Sequence, residues 1–204
     1  AIADTGLDTG VLSTLHPDIR NRVISLTENV WDPGGICQGT SNPNDPQGHG
    51  TAVTGAAVGN GLQSGSNPSQ HNYPLGSYAG SAPEAQLVFQ AVGCDQGGIS
   101  AQPPLTIYPP AYNLGARVYS KSFPSGLQDG GYYVVDRDND QYVNTRKNFV
   151  LTMAAGNDGS APMRTTNNAK NVITVGGFMR DQSTTQIYAR GPTKDNRFKP
   201  DILS

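Results

Sequence analysis

Apolar positions in this chain come in short runs, at residues 1–3, 23–26, 87–92, 117–123, 149–154 and 172–175. Gly, Pro, Asn or Asp residues punctuate the chain around them, which is the context of strands. Segments that suit helices lie between several of these runs. Residues 51–58 are small and apolar and follow a glycine. Residues 132–147 are polar and charged, with Tyr133, Val134, Tyr142 and Val143 as their apolar positions. Short strands alternating with helices predict parallel βαβ units covered on both faces. The expected fold is therefore α/β and three-layered, a mostly parallel, twisted sheet flanked by helices. Ligands of such sheets sit at the carboxyl ends of the strands.

Two segments depart from this pattern. Residues 61–78 are rich in Gly, Ser, Asn and Pro and predict a long surface loop. Residues 103–115 should link two strands by a helix, yet contain Pro103, Pro104, Pro109 and Pro110. A proline inside a helix costs roughly 3 kcal/mol, so a short or broken helix is expected there. No internal repeat or second domain is visible. Ala1 already lies within an apolar run and the other end is equally abrupt. The expectation is one partial domain over residues 1–204, incomplete at both ends.

Composition narrows the functional classes. Hydrophobic residues make up 35% of the chain and the mean hydropathy is −0.46, so the core must be compact and the loops many. The 25 Gly and 15 Pro suit a fold with sharp turns between elements. A net charge of −2 without a Lys/Arg cluster argues against a nucleic-acid footprint or a basic membrane-binding face. No apolar stretch approaches the roughly 20 residues that cross a bilayer. Cys37 and Cys94 are either two free thiols or one disulfide, and the latter implies an oxidising compartment.

Three polar residues stand where chemistry could be done. Asp4 ends an apolar run, where a carboxylate would be partly buried and would need hydrogen bonds. His49 lies between Gly48 and Gly50, which let the backbone approach closely. Asn157 follows the apolar run 149–154 in a glycine turn. Hydrolysis of a peptide by a serine needs a base for the hydroxyl proton, a carboxylate to hold that base, and donors for the oxyanion. Asp4, His49 and Asn157 fit the last two roles and the first. Each alone is more often a cap, an exposed histidine or a turn; the three in this order and context are not. A rival is the Asp-Thr-Gly triplet of aspartic proteases, which need two such carboxylates sharing a proton. The second triplet, Asp8-Thr9-Gly10, is too close to the first to come from an opposing lobe, and the chain lacks an all-β pattern. His16, His49 and His71 share no metal-ligand spacing.

The chain resembles the subtilisin-like serine proteases. The matching segments are Ala3-Asp4-Thr5-Gly6-Leu7-Asp8, His16-Pro17-Asp18, Gly48-His49-Gly50-Thr51, Ala154-Ala155-Gly156-Asn157, Lys170-Asn171-Val172-Ile173-Thr174-Val175-Gly176, and Arg190-Gly191-Pro192 with Lys199-Pro200-Asp201. Leu87-Val88-Phe89-Gln90 and Gly191-Pro192-Thr193-Lys194-Asp195 resemble the high-alkaline, oxidation-stable bacterial subgroup. The resemblance implies endopeptidase activity with Asp4 and His49 catalytic and Asn157 in the oxyanion hole. It implies substrate binding by Ser122, Phe123, Gly97, Gly98, Ala155 and Gly156. It implies a secreted protein that acts on proteins or peptides, while the charge pattern and the short apolar runs point to no nucleic-acid and no membrane partner. No cofactor is required for the chemistry, no metal ligand is assigned, and structural calcium is allowed.

The departures carry as much information. The family's nucleophile serine opens a later helix, past Ser204, so this chain is expected to be inactive alone and to need the rest of its polypeptide. Ser204 stands where the family usually has Ala. Gly39-Thr40-Ser41 has the nucleophile's triplet but precedes His49 and has no helix after it. Lys121-Ser122-Phe123-Pro124 replaces a segment that normally pairs with the bound peptide, and Pro124 has no N–H to give. Ala52 replaces a second histidine. A lapsed protease fold that binds or scaffolds is the alternative function. A Cys37–Cys94 disulfide is also expected, since one cysteine precedes His49 and the other follows the run 87–92; it needs Cα atoms about 4.4–6.8 Å apart.

Overall fold

The structure, a computed structural model, describes residues 1–33, 37, 43–94, 97–159, 161–164, 166–177 and 188–204. It divides into two compact units, Ala1–Gln102 and Pro103–Ser204. The Gly39-Thr40-Ser41 triplet lies outside the described residues.

In the first unit three parallel strands stand in the order β2–β3–β1: β1 (Ile2–Asp4), β2 (Val23–Glu28) and β3 (Leu87–Ala91). All five residues of β3 are buried, as a central parallel strand requires. Its register sets Ile2 beside Phe89 and Asp4 beside Ala91. Helix α1 (His49–Val58) packs Val53, Ala57 and Val58 into a core with Ile2, Leu7, Leu15, Ile19, Leu87 and Phe89. The glycine-rich stretch 61–78 is a loop with two short 3₁₀ turns, Leu62–Ser64 and Pro68–Gln70. It is tied down where His71 Nδ1 and Tyr73 Oη both meet Glu84 Oε1, at 2.5 and 2.9 Å.

In the second unit four parallel strands follow in chain order, β4 (Val118–Lys121), β5 (Val150–Ala154), β6 (Ile173–Gly176) and β7 (Ile202–Leu203). Two helices, α2 (Pro104–Asn113) and α3 (Val134–Thr145), accompany them. Tyr108, Tyr119, Tyr142 and Phe149 form their aromatic core, with Tyr108 and Tyr119 edge to face at 4.8 Å. The buried Tyr108 hydroxyl donates to Asn139 Oδ1 on α3 at 2.8 Å. Two carboxylates of α3 then anchor the chain leading into β6. Asp136 accepts Asn168 N, and Asp140 accepts Lys170 N and Asn171 N at 3.0 and 2.6 Å.

Helix α2 corrects the expectation of a broken segment. It runs for ten residues, because Pro104 sits in the first turn where no N–H is needed. Pro109 and Pro110 lie on the outer side while Ile107, Tyr108 and Ala111 are buried. Burial of that face outweighs the lost hydrogen bonds. The remaining strands and helices agree with the sequence pattern to within a few residues. Strand β7 was not expected, since two residues carry no periodicity. The parallel α/β class is as predicted.

Candidate active site

Asp4 closes β1 with its side chain fully buried. Its Oδ1 accepts the Thr5 N–H at 2.8 Å and lies 2.6 Å from Nδ1 of His49, the first residue of α1. The imidazole is half exposed. A carboxylate only accepts, so Nδ1 carries a proton, and in the neutral imidazole Nε2 is then left with its lone pair. That is the tautomer a general base needs.

Backbone fit brings the two residues together. Gly48 turns into α1 with φ +75°, in the left-handed region that glycine enters without penalty. Gly50 then runs against β1. A β-carbon on Gly50 would lie 2.2 Å from Gly6 O and 3.0 Å from Asp4 Cβ.

A glycine cannot cap a helix with a side chain, and other residues satisfy the first amides of α1. Gly50 N donates to Thr5 Oγ1 at 2.9 Å. Thr51 N and Thr51 Oγ1 both donate to Asp45 Oδ2, at 2.8 and 2.6 Å. Thr5 Oγ1 donates to Asp45 Oδ1 at 2.7 Å, and Asp8 N donates to Thr51 Oγ1 at 2.8 Å. Asp45 thus places a negative charge at the positive end of α1 and ties it to the turn after β1. Neither Asp45 nor Thr5 stands out in the sequence as a site residue. The available signal was an acidic residue shortly before the helix that His49 begins.

The other predicted residues fall into two groups. Ser122, Ala155, Gly156 and Asn157 line one cavity of about 340 Å³ at the carboxyl ends of β4, β5, β6 and β7, in the second unit. Asn157 is exposed there, and Gly156 turns the chain with φ +103°. Phe123 is buried instead, its ring 4.9 Å from Lys121 Nζ. Gly97 and Gly98 lie in the first unit, in an exposed turn where Gly97 N donates to Cys94 O and Cys94 N to Gly98 O. The Cys37 and Cys94 sulfurs are bonded, with Cα atoms 5.1 Å apart. Among the described residues no group of three or more His, Cys, Asp or Glu is placed to hold a metal ion, and no helix is long and apolar enough to cross a membrane.

A buried carboxylate thus meets Nδ1 of a half-exposed histidine on a parallel α/β frame. The chain matches the profile of the subtilase family, Peptidase S8, over residues 1–204 and belongs to that family. It is 30% identical over 209 residues to the Dictyostelium discoideum serine protease/ABC transporter B family protein tagD, covering 98% of this chain and 11% of that protein. It is 34% identical over 166 residues to the major intracellular serine protease of Bacillus subtilis, covering 81% of this chain and 44% of the relative. The chain therefore spans less than half the length of these relatives. Its fold is that of the epidermin leader peptide processing serine protease EpiP from Staphylococcus aureus, with a TM-score of 0.64 at 21% identity, over 100% of this chain and 51% of that one. It is also that of the psychrophilic subtilisin-like protease Apa1 from Pseudoalteromonas sp. AS-11, with a TM-score of 0.61 at 20% identity, over 93% of this chain and 38% of that one.

Proposed function

We propose that residues 1–204 are part of the catalytic domain of a secreted serine endopeptidase, carrying its carboxylate, its base and its oxyanion donor. The observation that supports this most is the 2.6 Å contact between Asp4 Oδ1 and His49 Nδ1. His49 Nε2 takes the proton of a serine hydroxyl as its oxygen adds to the peptide carbonyl. The Asn157 amide donates to the oxyanion, and the imidazolium, held by Asp4, passes the proton to the leaving amine. Water then repeats the addition on the acyl-enzyme and frees the serine. Loss of such an asparagine costs about 2.7–4 kcal/mol, a value measured in a subtilisin and carried here by kinship.

The serine is assigned to polypeptide following Ser204 by the resemblance, in which the nucleophile comes later than the segment matched by Lys199-Pro200-Asp201. Residues 1–204 alone are accordingly inactive. Secretion is supported by the Cys37–Cys94 disulfide, which persists in oxidising compartments. The high-alkaline subgroup is proposed on Leu87–Gln90 and residues 191–195 alone. A lapsed protease fold that binds or scaffolds is the second reading, favoured by Pro124, whose missing N–H removes a donor from the segment that pairs with substrate in the family. The test is a fluorogenic peptide assay with a serine-directed fluorophosphonate label, on residues 1–204 and on the polypeptide extended past Ser204. Turnover and labelling of the extended form, abolished by His49→Ala, support the enzyme. An extended form that binds peptide without turnover selects the lapsed role. Labelling of residues 1–204 that depends on His49 would place the nucleophile within them.

A further inference from the structure

Among the described residues Leu75 is the most exposed large apolar side chain, standing wholly in solvent, and Tyr78 nearby is 84% exposed. Leu75 lies in the loop between α1 and β3, in a turn where Ser77 N donates to Pro74 O at 3.0 Å. Gly76 has φ +99°, while Leu75 stays out of the left-handed region. That is a type II turn with Leu75 at its second position. From Tyr73 to Ser77 it contains the one backbone hydrogen bond among the described residues. The chain on either side is fastened. His71 and Tyr73 meet Glu84, Tyr78 N donates to Ser64 Oγ at 2.9 Å, and Gly80 N donates to Gly59 O at 2.7 Å. A protruding turn with one internal bond opens into an extended strand at little cost, which is what an endopeptidase needs of a substrate. Phe198, 93% exposed, lacks that freedom. The next residue, Lys199, is buried and donates to Val172 O, Thr174 Oγ1 and Asp201 Oδ2.

A cut after Leu75 leaves the protein in one piece. Residues 1–75 hold β1, β2, α1 and the Asp4–His49 pair, and residues 76–204 bring β3. Strand β3 pairs with β1 on one side and β2 on the other, so Leu87 and Phe89 pack with Ile2, Leu7 and Val58 across the cut. Cys37 and Cys94 fall on opposite sides of it and join the two pieces covalently. The loop also hangs from the end of α1 opposite His49, since Gly80 and Ser81 donate to Gly59 O and Ala56 O. Ten residues of helix put the two ends about 15 Å apart, so the turn is not presented to its own His49.

We propose that the Leu75–Gly76 bond is a processing site, cut by a serine endopeptidase acting from another molecule, which yields a two-chain protein joined by Cys37–Cys94. Where the donor is a second copy of this protein, the inference rests on the peptidase assignment above. The step is a hydrolysis. The bond between the Leu75 carbonyl carbon and Gly76 N breaks, and water supplies the hydroxyl to the carbon and the proton to the nitrogen. The Asp4–His49 contact stays within one piece, so the cut frees the loop and not the fold.

The experiment uses the polypeptide extended past Ser204, as the parent and as His49→Ala. His49→Ala alone is expected to stay intact, and a trace of parent to cut it at a rate proportional to the parent added. Denaturing electrophoresis should show one band without reductant and two with it, and mass spectrometry new ends at Leu75 and Gly76. Leu75→Pro, which suits the second position of the turn and stiffens it, should slow the cut about tenfold or more. A first cut elsewhere, pieces that part without reductant, or an equal rate in Leu75→Pro overturns the inference and leaves the peptidase assignment standing.

A second measurement does not depend on the protein's own turnover. Proteinase K in trace amount, whose specificity is broad, is added to the His49→Ala form. A first cut after Leu75, with pieces that part only under reductant, supports the site even where the parent cuts nothing and the peptidase assignment fails. A first cut by proteinase K at another place overturns it.

Discussion

Gly50 and Gly6 touch so closely that only glycine fits at position 50: a β-carbon there would lie 2.2 Å from Gly6 O. The contact joins the first turn of α1 to the turn after β1, so it sets the separation of His49 from Asp4. Gly50→Ala should push the helix start away and cost about 1–3 kcal/mol, the usual cost of overpacking. The His49 Nδ1 proton, strongly deshielded by a 2.6 Å bond to a carboxylate, should shift upfield or vanish by proton NMR. An unchanged resonance in a folded variant would mean the contact does not control the pair.

Asp45 is expected to act as the cap of α1, through Thr51 and Thr5. Asp45→Ala leaves the Thr51 amide and the Thr5 hydroxyl short of a partner and removes a charge from the helix N-terminus. The expected loss is roughly 1–3 kcal/mol by urea unfolding, with Asp45→Asn losing less because it keeps an acceptor. Equal losses for the two variants would show that the charge, not the hydrogen bonds, carries the effect.

Lys121 gives a pH-dependent stability of definite sign. Its folded value of about 8 lies below the ordinary 10.5 of a lysine in the unfolded chain. Below pH 8 both states are charged and the folded state bears the whole cost of burying the ammonium. Between pH 8 and 10.5 the folded state loses its proton first, and the cost fades. Lys121→Met should therefore stabilise the protein at pH 7 by on the order of 3 kcal/mol, and by little near pH 10.5. The measurement is the difference in denaturation midpoint between variant and parent across that range. A pH-independent difference would mean that burial does not tune this amine.

The Cys37–Cys94 bond closes a span of 57 residues that contains all of α1. Replacing both cysteines by serine should lower stability by roughly 2–4 kcal/mol, by freeing the unfolded chain. Calorimetry of the oxidised protein against the double variant reads it directly. Equal melting temperatures would show that the cross-link is not a stabilising one.

The sequence by itself determined the order of the elements and singled out the candidate residues for chemistry. Asp4, His49 and Asn157 stand out because each pairs a reactive group with local features, an apolar run or flanking glycines, that act over a few residues. The strands and helices are legible for the same reason, since alternation and helical spacing are local. Tertiary structure decided whatever depends on residues far apart in the chain. It made a ten-residue helix of a proline-rich segment, because burial of Ile107, Tyr108 and Ala111 outweighs what propensity opposes. It recruited Asp45 and Thr5 to a helix end that has no capping side chain of its own. It also separated two lysines that look alike in sequence, giving Lys199 an aspartate and Lys121 an aromatic ring. A residue's type is local information, whereas the partners that set its energy are brought to it only by folding.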